Sequence, residues 1–272
     1  MFGILFAKTF FLVGMMLVIT TISTRINKTY ETIVEARLTV LGIFVFLFAI
    51  TFFSHIFPLN LLLVACFAGV VGWSMGPTIT FIGRRFKLKR FLKARNIKTK
   101  KDSEKKNVVI FYKESVGGEI EVVSEKELET LLKDFEVEIE KGGDPYDKKW
   151  QDIVFQAMLG TTLAVFASAA LVSVSDIDFS FLEMFLFIAL LLLIAVSLLN
   201  RFFFKSSKIS LIKAYFGVLI FTLYLIFDFN RLESLIAQGE TSWSAAIDIA
   251  VNLYLDIINL FFDILKILAE DG

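Results

Sequence analysis

The 272 residues of this chain include one cysteine, one histidine and three prolines. Cys66 has no partner for an intramolecular disulfide, and within its apolar run it reads as a small packing residue. A single histidine, His55, rules out a His-rich metal cluster, and no nucleophile elbow, P-loop or dinucleotide fingerprint occurs anywhere. We therefore expect neither an enzyme nor a bound cofactor. Net charge is also missing, with 28 Lys and Arg against 28 Asp and Glu, although that balance hides a basic run set beside an acidic region. What the chain has in quantity is apolar surface: 56% hydrophobic residues, 31 of them Phe, and a mean hydropathy of +0.71. Such a composition belongs to an integral membrane protein.

An apolar run of about 20 residues crosses a bilayer as a helix, because its backbone polar groups must bond internally where there is no water. Seven runs qualify: 2–23, 38–57, 60–82, 153–174, 180–200, 209–229 and 245–268. The first lacks a basic leader and carries Lys8 inside it, so it reads as a helix and not as a signal peptide. The expected fold is an all-α membrane protein, a seven-transmembrane-helix bundle with a small α+β soluble insertion. It divides into helices 1–3 (residues 1–83), the insertion (84–150) and helices 4–7 (151–272).

The insertion opens with ten basic residues and no acidic one between Arg84 and Lys101. Phe86, Leu88, Phe91 and Leu92 interleave with those charges. This spacing predicts a helical continuation of the third span that lies along anionic lipid headgroups, and a juxtamembrane position accounts for the charge without nucleic acid. Next come VVIFY, a turn at Gly117 and Gly118, EIEVV, a helix SEKELETLLKDF opened by the capping-box pair Ser124 and Glu127, and the alternating FEVEIE. The pattern predicts a β-β-α-β unit with ten acidic residues between Glu114 and Glu140. At this size its core is marginal, so it should lean on the basic helix or on the membrane-domain loops. Residues 102–150 offer a docking face for a membrane protease or another protein.

Arg25, Lys28 and Arg37 lie between helices 1 and 2, and Arg201, Lys205 and Lys208 between helices 5 and 6. The loops between helices 2 and 3 and between helices 4 and 5 have no basic residue. The positive-inside rule then places the N-terminus outside and the C-terminus in the cytoplasm.

The last helix carries Asp248, Asn252, Asp256, Asn259 and Asp263 at offsets of four, four, three and four, which makes one polar stripe along a helix. An ionised carboxylate in hydrocarbon costs about 2.5–3.5 kcal/mol on insertion scales, so a stripe of this kind marks a water-accessible path or a proton or cation site. Helix 6 ends LYLIFDFNRLE, with Asp228 where the apolar run stops. Helices 6 and 7 are joined by a short loop and should be antiparallel neighbours, so Asp228 can meet Asp256. Two carboxylates in one low-dielectric site cannot both ionise easily. Asp228 and Asp256 are therefore the candidate pH-sensing or cation-binding pair, with Asp248, Asn252, Asn259 and Asp263 as the path. An intramembrane aspartyl protease would need GxGD around Asp256 and a Pro-Ala-Leu motif, and neither is present. In helix 3, Ala65 with Gly69, and Ala68 with Gly72 and Gly76, form a small-residue face. Pro77 breaks the backbone ladder there, which leaves packing and a gating hinge both open. His55, at the end of helix 2, reads as an interfacial polar residue.

Several of these segments together resemble the transmembrane Bax inhibitor motif family (Bax inhibitor-1/YccA-like), bacterial type. AVNLYLDIINLFFDILKIL is similar to the family's last helix, LYLIFDFN to the end of helix 6, VFQAMLGTT to the start of helix 4, GWSMGPTI to helix 3 and FAKTFFLVGMML to helix 1. The polar unit between helices 3 and 4 departs from the family's usual short loop. The resemblance implies a central helix surrounded by six others and a pH-sensitive passive leak of Ca²⁺ or other cations, with Asp228 and Asp256 as its sensing pair. It also implies an Arg latch at the helix 2–3 junction, where this chain has Ser54 and His55, so that His55, Gly76 and Pro77 become the candidate latch or gate. Familial topology places the N-terminus inside, opposite to the charge rule. Other relatives imply a second role, a non-conducting membrane regulator of proteolysis or stress survival. The expected location is a bacterial plasma membrane.

Overall fold

The computed structural model describes residues 3–101, 109–114, 120–140 and 145–271. In chain order these form α1 (Ile4–Ile26), α2 (Ile33–Phe53), α3 (Leu59–Ala94), β1 (Ile97–Lys101), β2 (Val109–Glu114), β3 (Ile120–Val122), α4 (Glu125–Glu140), α5 (Asp147–Val174), α6 (Leu182–Leu199), α7 (Ser207–Ala237) and α8 (Trp243–Asp271). A short 3-10 turn leads into α6 and a π-turn leaves it. Among the described residues seven helices are long and apolar enough to cross a membrane, one in each expected run. The protein is an all-α membrane protein, and α8 is its central helix. It packs on α1, α3, α5 and α7, whereas α2 rests chiefly on α3 and α6 chiefly on α7. Burial follows the same order, with α8 the most buried span and α2 and α6 the least.

Polar side chains tie the bundle where apolar packing has no preferred register. Three donors on α1 and one on its C-cap residue reach backbone carbonyls of α3: Thr20 Oγ1 to Ala68 O (3.1 Å), Ser23 Oγ to Gly69 O (2.6 Å), Thr24 Oγ1 to Gly72 O (3.1 Å) and Asn27 Nδ2 to Trp73 O (2.9 Å). The last of these repairs the proline defect. Pro77 has no N–H to give the carbonyl four residues back, which is Trp73 O, and Asn27 supplies the missing donor. Gly72 and Gly76 make the approach possible, since a Cβ at Gly76 would sit 1.7 Å from Asn27 O. Gly76 and Pro77 thus lie within an α1–α3 clasp. Asn27→Ala should lower stability by about 1 kcal/mol, because it orphans that carbonyl in an apolar setting. A thermal melt in detergent checks this, and an unchanged midpoint would mean that the bond contributes nothing.

Two expectations for the insertion are corrected. The helix begins after Ser124 as expected, with Glu127 N donating to Ser124 Oγ at 3.3 Å, but it continues through FEVEIE to Glu140 and no strand forms there. Leu128, Leu131, Phe135 and Ile139 follow spacings of three and four and pack on one face, while Val137, the middle apolar residue of the apparent alternation, is 49% exposed. The basic run is not one helix either. It leaves the helix at Ala94, turns through Asn96 in the left-handed region (φ 55°), and becomes β1. The unit is therefore β-β-β-α, an antiparallel sheet in the order β1-β2-β3. The turn expected at Gly117 and Gly118 lies outside the described residues. Phe91 and Leu92 of α3 share the unit's core with Ile97, Val123 and Phe135, so it is built onto the third span. Ion pairs from Arg84 to Glu136 and from Arg95 to Glu138 (3.2 Å) reinforce this seat, and Lys87 ties α3 to the start of α5 at Asp147 (2.5 Å).

Candidate functional site

The turn between α7 and α8 holds these two helices antiparallel. Gly239 takes φ +77°, Glu240 Oε1 accepts from the N–H groups of Thr241 and Ser242 (2.8 Å each), and Ser242 Oγ caps α8 by accepting from Ala245 N (3.2 Å). Lys8, the cation inside the first span, donates to Thr241 O at 2.6 Å and stands 4.8 Å over the Trp243 ring, so its charge anchors α1 to this turn.

Within the α7–α8 seam the carboxyl groups of Asp228 and Asp256 come within hydrogen-bonding reach of each other. They are 3% and 7% exposed, and neither Oδ2 finds any other donor among the described residues. If both groups were anionic, two buried oxygens would be left without a proton; a single shared proton would satisfy both. Tyr224, one turn before Asp228, lies beside both carboxyls, a neighbour that its four-residue offset could have disclosed.

The stripe on α8 divides. Asp263 is 8% exposed, and its carboxylate tucks against α7 at Gly217, where a Cβ would lie 1.9 Å from Oδ2. Asn252 is half-buried, and Asp248 and Asn259 are exposed. At 100° per residue Asn259 and Asp248 lie about 60° and 80° around the helix from Asp256, on the outer edge of the stripe. The seam thus buries one edge and leaves the other open. Asp248 forms an ion pair with Arg231 at 2.5 Å, at the end of the seam nearer the α7–α8 turn.

His55 is exposed in the α2–α3 loop and is not brought to the pair. Its neighbour Ser54 bonds to Ser244 at 2.9 Å, and twelve residues of α8, about 18 Å by helical rise, separate Ser244 from Asp256. Outside the spans, the Ser180 N–H and the Asn230 amide hold the Asp178 carboxyl below the usual carboxylate range, and the Ser242 and Thr241 N–H groups do the same for Glu240. Both acids stay ionised through the neutral range, so the end of the bundle with the α7–α8 turn keeps these negative charges at any pH near 7. No group of three or more His, Cys, Asp or Glu able to hold a metal ion occurs among the described residues. Two carboxylates fall well short of the six to eight oxygens that Ca²⁺ takes.

Residues 146–272 match the family model described as "Inhibitor of apoptosis-promoting Bax1", a stretch that holds α5 to α8 and both aspartates. The chain is 34% identical over 118 residues to an uncharacterised protein of Campylobacter jejuni, covering 43% of this chain and 48% of the relative. It is 36% identical over 116 residues to the Golgi anti-apoptotic protein of vaccinia virus (43% and 46%), and 33% identical over 118 residues to an uncharacterised membrane protein of Vibrio cholerae (43% and 50%). The chain thus covers about half the length of these curated relatives. Through residues 146–272, which hold its four C-terminal spanning helices, the chain is similar to the Bax inhibitor-1 family of membrane proteins.

Proposed function

We propose that this protein is a passive leak for Ca²⁺ or related cations, regulated by protonation of Asp228 and Asp256, in a bacterial plasma membrane. The observation that carries this reading is the approach of two buried carboxyls whose Oδ2 atoms find no hydrogen-bond partner among the described residues. With one proton between them the pair holds α7 to α8 by a shared hydrogen bond. Once both ionise, their repulsion separates the helices and opens the buried edge of the stripe, Asp263 included, to the exposed edge with Asn259. The ionised acids at the α7–α8 turn concentrate cations at that mouth. The opposite end collects Arg25, Lys28, Arg37, Arg201, Lys205 and Lys208, and we place it in the cytoplasm.

Ca²⁺ release from loaded proteoliposomes tests this directly. The expected flux is low at pH 6 and rises toward pH 8. A flux equal to that of protein-free vesicles at every pH would remove the proposal.

A second reading is a non-conducting regulator that acts through protein contacts. The observation in its favour is the soluble unit built onto α3 through a shared core, a stable platform beyond the membrane. A partner captured by the full chain and lost when a short loop replaces 97–140, with Ca²⁺ flux unchanged, would favour it.

A further inference from the structure

The basic face of α3 is largely matched from within. Arg84, Lys87 and Arg95 face Glu136, Asp147 and Glu138, and Lys89 faces Glu270 at 3.7 Å. Two other lysines are not matched in this way. Lys213 on α7 and Lys266 on α8 are half-buried, and no salt bridge or hydrogen bond engages either ammonium among the described residues. Each lies one helical turn from the Gly217–Asp263 contact, on facing helices, and Arg85 of α3 reaches Glu270, one turn beyond Lys266, at 3.9 Å. The acids that face this cluster are Glu270, 3.9 Å from Arg85, and Asp263, which the Gly217 notch draws toward the α7 backbone and away from a salt bridge with either lysine. Three cations from three helices thus converge on two acids, and the two lysines repel each other without a direct counter-ion.

Their depth limits what can supply that counter-ion. Helices α7 and α8 contain 31 and 29 residues. At 1.5 Å per residue they exceed the roughly 30 Å hydrocarbon core by about 15 Å, or 7–8 Å at each end. Lys213 is six residues from the start of α7 and Lys266 five from the end of α8, about 8–9 Å in, which is the boundary between hydrocarbon and headgroups. A group arriving there must be anionic and must carry apolar chains on one side.

We propose that Lys213, Lys266 and Arg85 form a binding site for the phosphate of an anionic phospholipid headgroup, at the end of the α7–α8 seam opposite the α7–α8 turn. The two ammonium groups and the guanidinium surround the phosphate, and the acyl chains run along the exposed apolar face of α7 at Phe216 and Leu219. The site is independent of whether the seam conducts.

Native mass spectrometry of the full chain in detergent, with phosphatidylglycerol and phosphatidylcholine added in equal amount, tests it. The wild type should retain phosphatidylglycerol in excess, and a Lys213→Gln/Lys266→Gln double variant should lose roughly tenfold of that retention. Lys266→Arg should keep it. A Lys205→Gln/Lys208→Gln variant, which removes basic charge from the same end without touching the cluster, should also keep it. Equal losses in the two double variants would mean diffuse surface attraction and would overturn the site. Displacement of the lipid by millimolar inorganic phosphate would assign the cluster to a soluble anion and overturn the lipid. A double variant whose melting midpoint falls with its retention is replaced by Lys266→Gln alone, judged by the same comparison.

Discussion

Asp256→Asn should leave a leak that no longer responds to pH between 6 and 8 and stays near the closed level throughout. The asparagine amide keeps a donor in the seam and offers it to Asp228 at every pH, so α7 and α8 remain bonded whether or not Asp228 is ionised. In the wild type, protons bound at low pH favour the closed seam, and their loss as pH rises favours the open one. Two charges about 4 Å apart at an effective dielectric near 20 repel by about 4 kcal/mol, well above the roughly 1–1.5 kcal/mol of the hydrogen bond they replace. A surplus of this order moves a two-state seam by about two decades, so the variant should pass roughly a tenth or less of the wild-type flux at pH 8. Asp228→Asn should behave alike, because the pair acts as a unit. If both variants conduct with the wild-type pH profile, the pair is not the sensor. If both abolish folding, Asp256→Glu, which retains the acid, should still fold and respond to pH.

The largest effect on stability is expected at Gly76. A Cβ there would lie 1.7 Å from Asn27 O and 2.7 Å from Thr24 O, both backbone atoms that cannot rotate aside. Helix α1 would have to retreat, and the ladder from Thr20 to Asn27 would open with it. Overpacking costs about 1–3 kcal/mol by itself, and the lost bonds bring the expected loss for Gly76→Ala to about 3 kcal/mol or more. Gly69→Ala is the matched control, since its Cβ would meet only Ile19 Cγ2 at 3.9 Å and should shift stability by less than about 0.5 kcal/mol. Thermal unfolding in detergent, followed by size-exclusion profile, separates the two. Equal midpoints would show that α1 adjusts freely and that the clasp adds little.

Both experiments act on groups that the linear pattern could name only in part. The spans were legible because bilayer thickness sets a length and an apolar content that any single segment must meet, without reference to its neighbours. The stripe was legible for a similar reason, since helical offset is a property of one segment. Its division was not: Asp248 and Asn259 are exposed while Asp256 and Asp263 are buried, because burial depends on which helix covers which edge. FEVEIE misled because three alternating apolar residues fit a strand as well as they fit the end of a helix. Only the packing of Phe135 on Phe91, 5.3 Å between ring centres, decides for the helix.

The sequence by itself determined a membrane protein of seven helices, the two aspartates that an antiparallel α7 and α8 could bring together, the small-residue face of α3 and the charge asymmetry of its loops. Each follows from composition or from the period of one helix. Tertiary structure alone decided that α8 is the centre, that Asn27 supplies the donor Pro77 withholds, that His55 stays away from the aspartates, that Gly217 draws Asp263 against α7, and that Lys213 and Lys266 lie on facing helices one turn beyond that contact. These rest on distances between residues far apart in the chain. In a bundle whose apolar faces are chemically alike, it is the small residues and side-chain hydrogen bonds between helices that select one register among many.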